Sequence, residues 1–181
     1  MQTLHGIHFL PIARIDGTLL GLDSRWLGVR GWGLMVLLTL ATLAGQLAQD
    51  TASPLWVRLS IAFSMVPAIV LTSLGHELGH VVASRLAGLS VRAVVLAPQG
   101  GVTIRAGSDD PSVNFLTALA GPLANAVFGM VCVWVAVGVP EGPMNNFLLE
   151  LAALQLFTAA ANLLPCGPMD GHRMLAAWRA L

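Results

Sequence analysis

The sequence predicts an all-α integral membrane fold: about four transmembrane helices, with a short membrane-associated β-hairpin and an N-terminal extended segment. Three observations carry this expectation. Hydrophobic residues make up 56% of the 181-residue chain and charged residues 10%, against about 25% charged in an average soluble domain. Four long windows hold no charged residue: 31–49, 59–76, 111–140 and 151–169. The 9 basic residues are all arginine and are spread unevenly over the links between those windows.

Taken in order, residues 1–30 form the N-terminal segment, with extended structure expected near 7–22. Residues 1–18 carry Arg14 and Asp16 and lack a continuous apolar stretch, so they do not read as a cleavable signal peptide. The first span is placed at 31–49, the second at 57–87, the third at 112–138 and the fourth at 147–165. At about 1.5 Å per residue, an uncharged helix of this length crosses a hydrocarbon core of about 30 Å. The third window, longer than the rest, accommodates a tilted helix with flanking loop. Links 50–54 and 138–146 are short and turn-rich. The link 88–110 is longer: Val91-Arg-Ala-Val-Val-Leu and Val102-Thr-Ile-Arg flank Pro98-Gln-Gly-Gly101, the pattern of a β-hairpin. Residues 166–181 form a loop and a C-terminal helix. The whole chain reads as a single membrane-embedded core, without internal repeats.

The arginines set the orientation. With a cytoplasmic N-terminus, Arg14, Arg25, Arg30, Arg85, Arg92, Arg105, Arg173 and Arg179 fall inside and only Arg58 outside. That bias predicts an even number of spans with both termini cytoplasmic, hence a multi-pass protein of the cell (inner) membrane. The formal net charge is zero with no charged run, which excludes a basic nucleic-acid face; the lipid bilayer is the expected partner. Cys132 lies in an apolar run and reads as a buried, unreactive thiol.

The chemistry concentrates in Ser73-Leu-Gly-His76-Glu77-Leu-Gly-His80, at the end of the second span. Residues four apart share a helix face, so His76 and His80 can offer two imidazoles to one metal ion. Glu77 projects beside them, where a carboxylate can take a proton from a zinc-bound water. Ionisable groups at membrane depth mark function by default. A catalytic site of this kind needs a third protein ligand. Asp170 stands out for that role, because it follows Pro165-Cys-Gly-Pro168, which must break the fourth helix at the depth of His80. Its alternative role is a cap for the helix over 171–181. Gly75 and Gly79 form a small-xxx-small pair that would admit a neighbouring helix.

With these residues in place, the chain resembles the site-2 proteases, intramembrane zinc metalloproteases that cleave transmembrane helices. The resemblance rests on His76-Glu77-x-x-His80, on Ala120-Gly121-Pro122-Leu123-Ala124-Asn125, and on Asn162-x-x-Pro165-x-x-x-x-Asp170-Gly171. These motifs cover about residues 75–173, in the family's order. Gly100-Gly101 is similar to the family's membrane-entrant strand segment. The resemblance implies Zn2+ bound by His76, His80 and Asp170, with Glu77 as general base. It makes Asn125 and Asn162 polar supports near the cleft, with interhelical hydrogen bonding as their alternative. The implied partner is a transmembrane-helix protein substrate such as a membrane-tethered regulator, processed in regulated intramembrane proteolysis; a homo-oligomer is compatible with this.

The chain departs from the family pattern after Asp170-Gly171, where His172-Arg173 replaces the usual Gly-Arg. His172 is a competing ligand or a helix cap, the cap being the simpler role; Cys166 is a competing ligand or a loop thiol. Neither of the family's accessory modules is recognisable, and the chain ends eleven residues after Asp170, as a trimmed core or a minimal member would. Two rivals predict other patterns. A metal-binding transporter needs ionisable groups spread along several helices, whereas here they cluster at one depth. An inactive protease-like scaffold does not require the carboxylate of Glu77.

Overall fold

The computed structural model describes residues 2–4, 7–49, 53–97 and 100–181. The expected outer link at Asp50, Thr51 and Ala52, and Pro98-Gln99 of the hairpin turn, lie outside these. Three strands open the chain, β1 (Gln2–Leu4), β2 (Ile7–Ile15) and β3 (Thr18–Asp23), followed by a short 3-10 turn over Ser24–Leu27. Helix α1 (Val29–Gln49) and the long α2 (Leu55–Leu86) come next, then β4 (Val91–Ala97) and β5 (Gly100–Arg105). The chain ends with α3 (Pro111–Val137), α4 (Pro143–Asn162) and the short α5 (Asp170–Trp178). Helices dominate and a small sheet accompanies them. Among the described residues two helices, Leu55–Leu86 and Pro111–Val137, are long and apolar enough to cross a membrane; Met35–Ala48 is a shorter apolar stretch.

The sheet is larger than a hairpin. All five strands join in the order β1-β2-β3-β4-β5, so the N-terminal extended segment and the hairpin make one body. The link between them is parallel, with Leu20 opposite Val94 and Leu22 opposite Leu96. Such pairing needs a long crossover, and α1 with α2 supplies it. Strand β4, paired on both sides, is apolar on both faces: Ala93 and Val95 pack with Phe9 and Ile104, while Val94 and Leu96 pack with Val81, Val70 and Leu74. Strand alternation explains the split. Gly21 lies under the Phe9 ring, where any Cβ would overlap it. Asp23 caps the 3-10 turn and forms an ion pair with Arg25 at 2.9 Å. Strand β5 is one edge of the sheet, and its side chains pack against α2.

Helix α3 packs against α2, α4 and α5, and α5 lies across it beyond the break that follows α4. Gly79 on α2 meets the Ala120 carbonyl of α3, so the helices approach there at backbone distance. Gly75 does not share that role: although it lies on the same face one turn earlier, no atom comes within 4 Å of a Cβ built there, and it lines a cavity between α2, α3 and α4. Gly171 is packed against the Leu163 carbonyl, which fixes the start of α5 beside the end of α4. Gly167 takes a left-handed φ of 55° between Pro165 and Pro168, the chain reversal that brings α5 back. Large apolar side chains point outward from the helices, among them Phe63, Leu71 and Trp134.

Candidate metal centre and active site

Helical periodicity puts His76 and His80 on the face of α2 that meets α3, and both are buried. Their Nε2 atoms lie 3.2 Å apart. Asp170, the first residue of α5, reaches in from across the fold and places Oδ2 3.0 Å from His76 Nε2 and 3.2 Å from His80 Nε2. The N-cap of α5 is Met169, not Asp170.

The donor set fits a zinc ion. Metal–ligand bonds of about 2.0–2.1 Å at tetrahedral angles separate the ligand atoms by about 3.3 Å, close to all three spacings seen. The tautomers fit as well. His80 Nδ1 lies 2.7 Å from the Thr117 carbonyl, which can only accept, so neutral His80 turns its Nε2 lone pair toward the cluster. Asn125 Nδ2 lies 3.3 Å from His76 Nδ1. With the amide oxygen turned to that nitrogen, His76 takes the same tautomer.

Glu77 is buried one residue on, its carboxylate within 4.8 Å of the imidazole nitrogens. It belongs to the second surface of α2, which faces β5. Thr103 Oγ1 donates to Glu77 Oε2 at 2.6 Å, and Oε1 lies against the bare Cα of Gly101, where a Cβ would overlap the carboxylate. Gly101, Thr103 and Arg105 are two apart and share this face of the strand. Arg105 in turn donates to Thr117 Oγ1 at 2.9 Å and Asn114 Oδ1 at 3.3 Å.

A cavity of about 370 Å³ opens beside these groups, between the Gly100–Thr103 stretch and the end of α4. Asn162 lines it but bonds its own helix, donating to the Thr158 carbonyl at 3.0 Å. His172 is exposed on α5, Cys166 is exposed in the loop and Cys132 is buried; among the described residues none of the three joins the cluster.

Two participants had no signal in the motifs. Thr103 and Thr117 are ordinary threonines whose partners are distant in sequence. Gly121 lies within the Ala120–Asn125 motif, and its reason is steric: a Cβ there would sit 2.6 Å from His80 Cε1 and 2.7 Å from His76 Nε2. Counting two residues on from Gly101 along β5 would have pointed to Thr103.

A buried His-His-Asp cluster with an adjoining Glu, on a helical core flanked by an edge strand, defines the class of this protein as that of site-2-protease-like metallopeptidases. The chain belongs to the family described as Peptidase M50B-like, which matches residues 51–164. It is similar to the Mycobacterium tuberculosis protein Rip3, whose name carries the description zinc metalloprotease. Identity there is 30% over 183 aligned positions, covering 94% of this chain and 44% of that protein. The zinc metalloprotease MJ0392 of Methanocaldococcus jannaschii is 33% identical over 107 residues, covering 56% of this chain and 30% of that one. Among solved structures, a site-2 protease from Methanocaldococcus jannaschii shares the fold, with a TM-score of 0.64 at 23% identity over 96% of this chain and 72% of that one. The chain thus spans less than half the length of the curated relatives it matches.

Proposed function

We propose that this chain is the catalytic core of an intramembrane zinc metalloprotease, hydrolysing peptide bonds within or near transmembrane segments of membrane-anchored proteins. The observation that carries the reading is the convergence of His76, His80 and Asp170 at 3.0–3.2 Å, with Glu77 beside them at a cavity bounded by an open strand edge.

His76 Nε2, His80 Nε2 and Asp170 Oδ2 would hold the metal. Bound there, zinc supplies Lewis acidity, lowering the pKa of water toward about 7 and polarising a carbonyl. Glu77 is the base. Thr103 holds its Oε2, leaving Oε1 to take the proton from water as the new C–O bond forms. As the C–N bond breaks, Glu77 passes that proton to the amine nitrogen. An extended substrate segment can add to the free edge of β5, which satisfies its backbone groups and exposes one peptide bond to the site. Helices unwind for this only where polar partners replace their own hydrogen bonds.

In this reading α1 to α4 each cross the inner membrane and both termini are cytoplasmic, as the arginine bias requires. The outward apolar side chains of α2 and α3 support a lipid-facing surface. The test is Glu77→Gln. The variant should retain about one zinc per chain and bind a transmembrane substrate, with cleavage reduced by roughly 10²–10⁴-fold. Near-wild-type cleavage would remove Glu77 as the base, and absence of zinc from the wild-type protein would remove the metal assignment.

A further inference from the structure

A second cavity, of about 430 Å³, adjoins the metal cluster on its other side. His80, Thr103 and Arg173 line both cavities, so the two lie against the same side chains beside the cluster. The second half carries Arg105 and Arg173, with Asn114 and Thr117 between them. It opens at the N-terminus of α3 and the far end of α5, the side that the arginine bias makes cytoplasmic.

Arg105 is half-buried without a counter-ion. Its guanidinium donates to the Ala106 carbonyl, Asn114 Oδ1 and Thr117 Oγ1, which are all neutral acceptors. Among the described residues no carboxylate lies within ion-pair distance of it. Those bonds use three of five donors and leave two. Burial pushes the Arg105 guanidinium below its ordinary value, and the nearby Arg173 charge acts in the same direction. Arg173 is 62% exposed and stands 3.6 Å from Asp170 Oδ1, a carboxylate already committed to the metal cluster. Asp109 also lines the cavity and is exposed, so two cations face one anion.

We infer that this cavity is a substrate subsite for a carboxylate, selecting an Asp or Glu on the cytoplasmic flank of the cleaved segment. The inference rests on the protease reading above. A chain lying along β5 passes Glu77 at Gly101 and reaches Arg105 four residues later, about 13 Å on at strand spacing. The acidic residue therefore sits about three to five residues from the cleaved bond. Cytoplasmic flanks of ordinary membrane proteins are rich in Lys and Arg, which two arginines would repel. The same pair that attracts an acidic flank thus rejects most bystander helices.

The test uses the full chain in phosphatidylcholine nanodiscs and a single-span peptide whose cleaved bond is mapped by mass spectrometry. Glu, Gln or Lys is placed in turn two to six residues from that bond on the cytoplasmic flank. Wild-type enzyme should favour Glu over Gln by about tenfold in kcat/KM at one position, with Lys the poorest. The Glu/Gln ratio should fall to about one in Arg105→Gln and Arg173→Gln, and Arg173→Glu should favour Lys over Glu. Efficient wild-type cleavage with a ratio near one at every position overturns the subsite and leaves the protease reading intact. A ratio that persists in both Gln variants also overturns it, as does loss of zinc from both, which would make the arginines part of the metal centre. If phosphatidylglycerol instead speeds cleavage of all three peptides equally, and only with both arginines present, the cavity holds a lipid phosphate and the proposal fails. A wild-type enzyme that cleaves no peptide overturns the protease reading and the subsite together.

Discussion

Gly121→Ala is the smallest change that should disable the metal centre, because the new methyl carbon enters the space between the two imidazoles. It would stand 2.6 Å from His80 Cε1 and 2.7 Å from His76 Nε2, where an ordinary contact needs about 3.5 Å. The nearest imidazole atom, His80 Nε2, must therefore move by about 1 Å. Helix α3 cannot easily retreat, since Gly79 is in backbone contact with Ala120 one residue away, so the imidazoles give way. Zinc ligand distances tolerate about 0.2 Å, and a 1 Å misplacement at a reacting centre can cost about 10²-fold in rate. The expected result is a 10–100-fold loss of zinc affinity, measured by competition with a chromophoric chelator, and a comparable loss of cleavage. Overpacking should cost about 1–3 kcal/mol of stability, so the variant should still fold. Gly75→Ala is the control: it lies on α2, with no atom within 4 Å of the added Cβ, and should leave affinity unchanged while favouring the helix by up to about 1 kcal/mol. A Gly121→Ala protein that binds zinc as tightly as Gly75→Ala would refute the steric argument.

Thr103→Val removes the hydroxyl that donates to Glu77 Oε2, and leaving a buried acceptor without its partner costs about 1–3 kcal/mol; kcat should fall roughly 10–100-fold with zinc content unchanged, and Thr103→Ser should restore it. A Ser variant as slow as Val would show that shape, not the hydroxyl, matters. Away from the site, hydrogen bonds from Arg25 hold the Asp23 carboxyl below its ordinary 3.8 against the opposing effect of burial. Its folded pKa lies below the unfolded one, so its contribution to stability is fully present above pH 3.8 and fades as pH falls through the lowered folded value. Denaturation in detergent should show an acid-dependent loss in this range that Asp23→Asn abolishes; identical pH profiles would exclude Asp23 as the source.

The sequence alone was enough wherever the cause is local. Two histidines four apart on a helix must share a face, and Pro165, Gly167 and Pro168 must end α4 and turn the chain. The long uncharged windows mark helices because lipid and the helix period act on contiguous residues. What the sequence could not reveal depends on groups distant along the chain. Strands Thr18–Asp23 and Val91–Ala97 are separated by two helices, and nothing in either one's pattern says that they pair in parallel into one sheet. That pairing makes β5 an edge facing α2, and only then does Thr103 meet Glu77 and Arg105 lack a counter-ion. Gly75 and Gly79 look alike in the sequence, yet the angle at which α3 crosses α2 decides that Gly79 touches it and Gly75 does not. Steric contact across a helix crossing also gives Gly121 its purpose, because packing at ångström tolerance is a property of the assembled elements and not of any one of them.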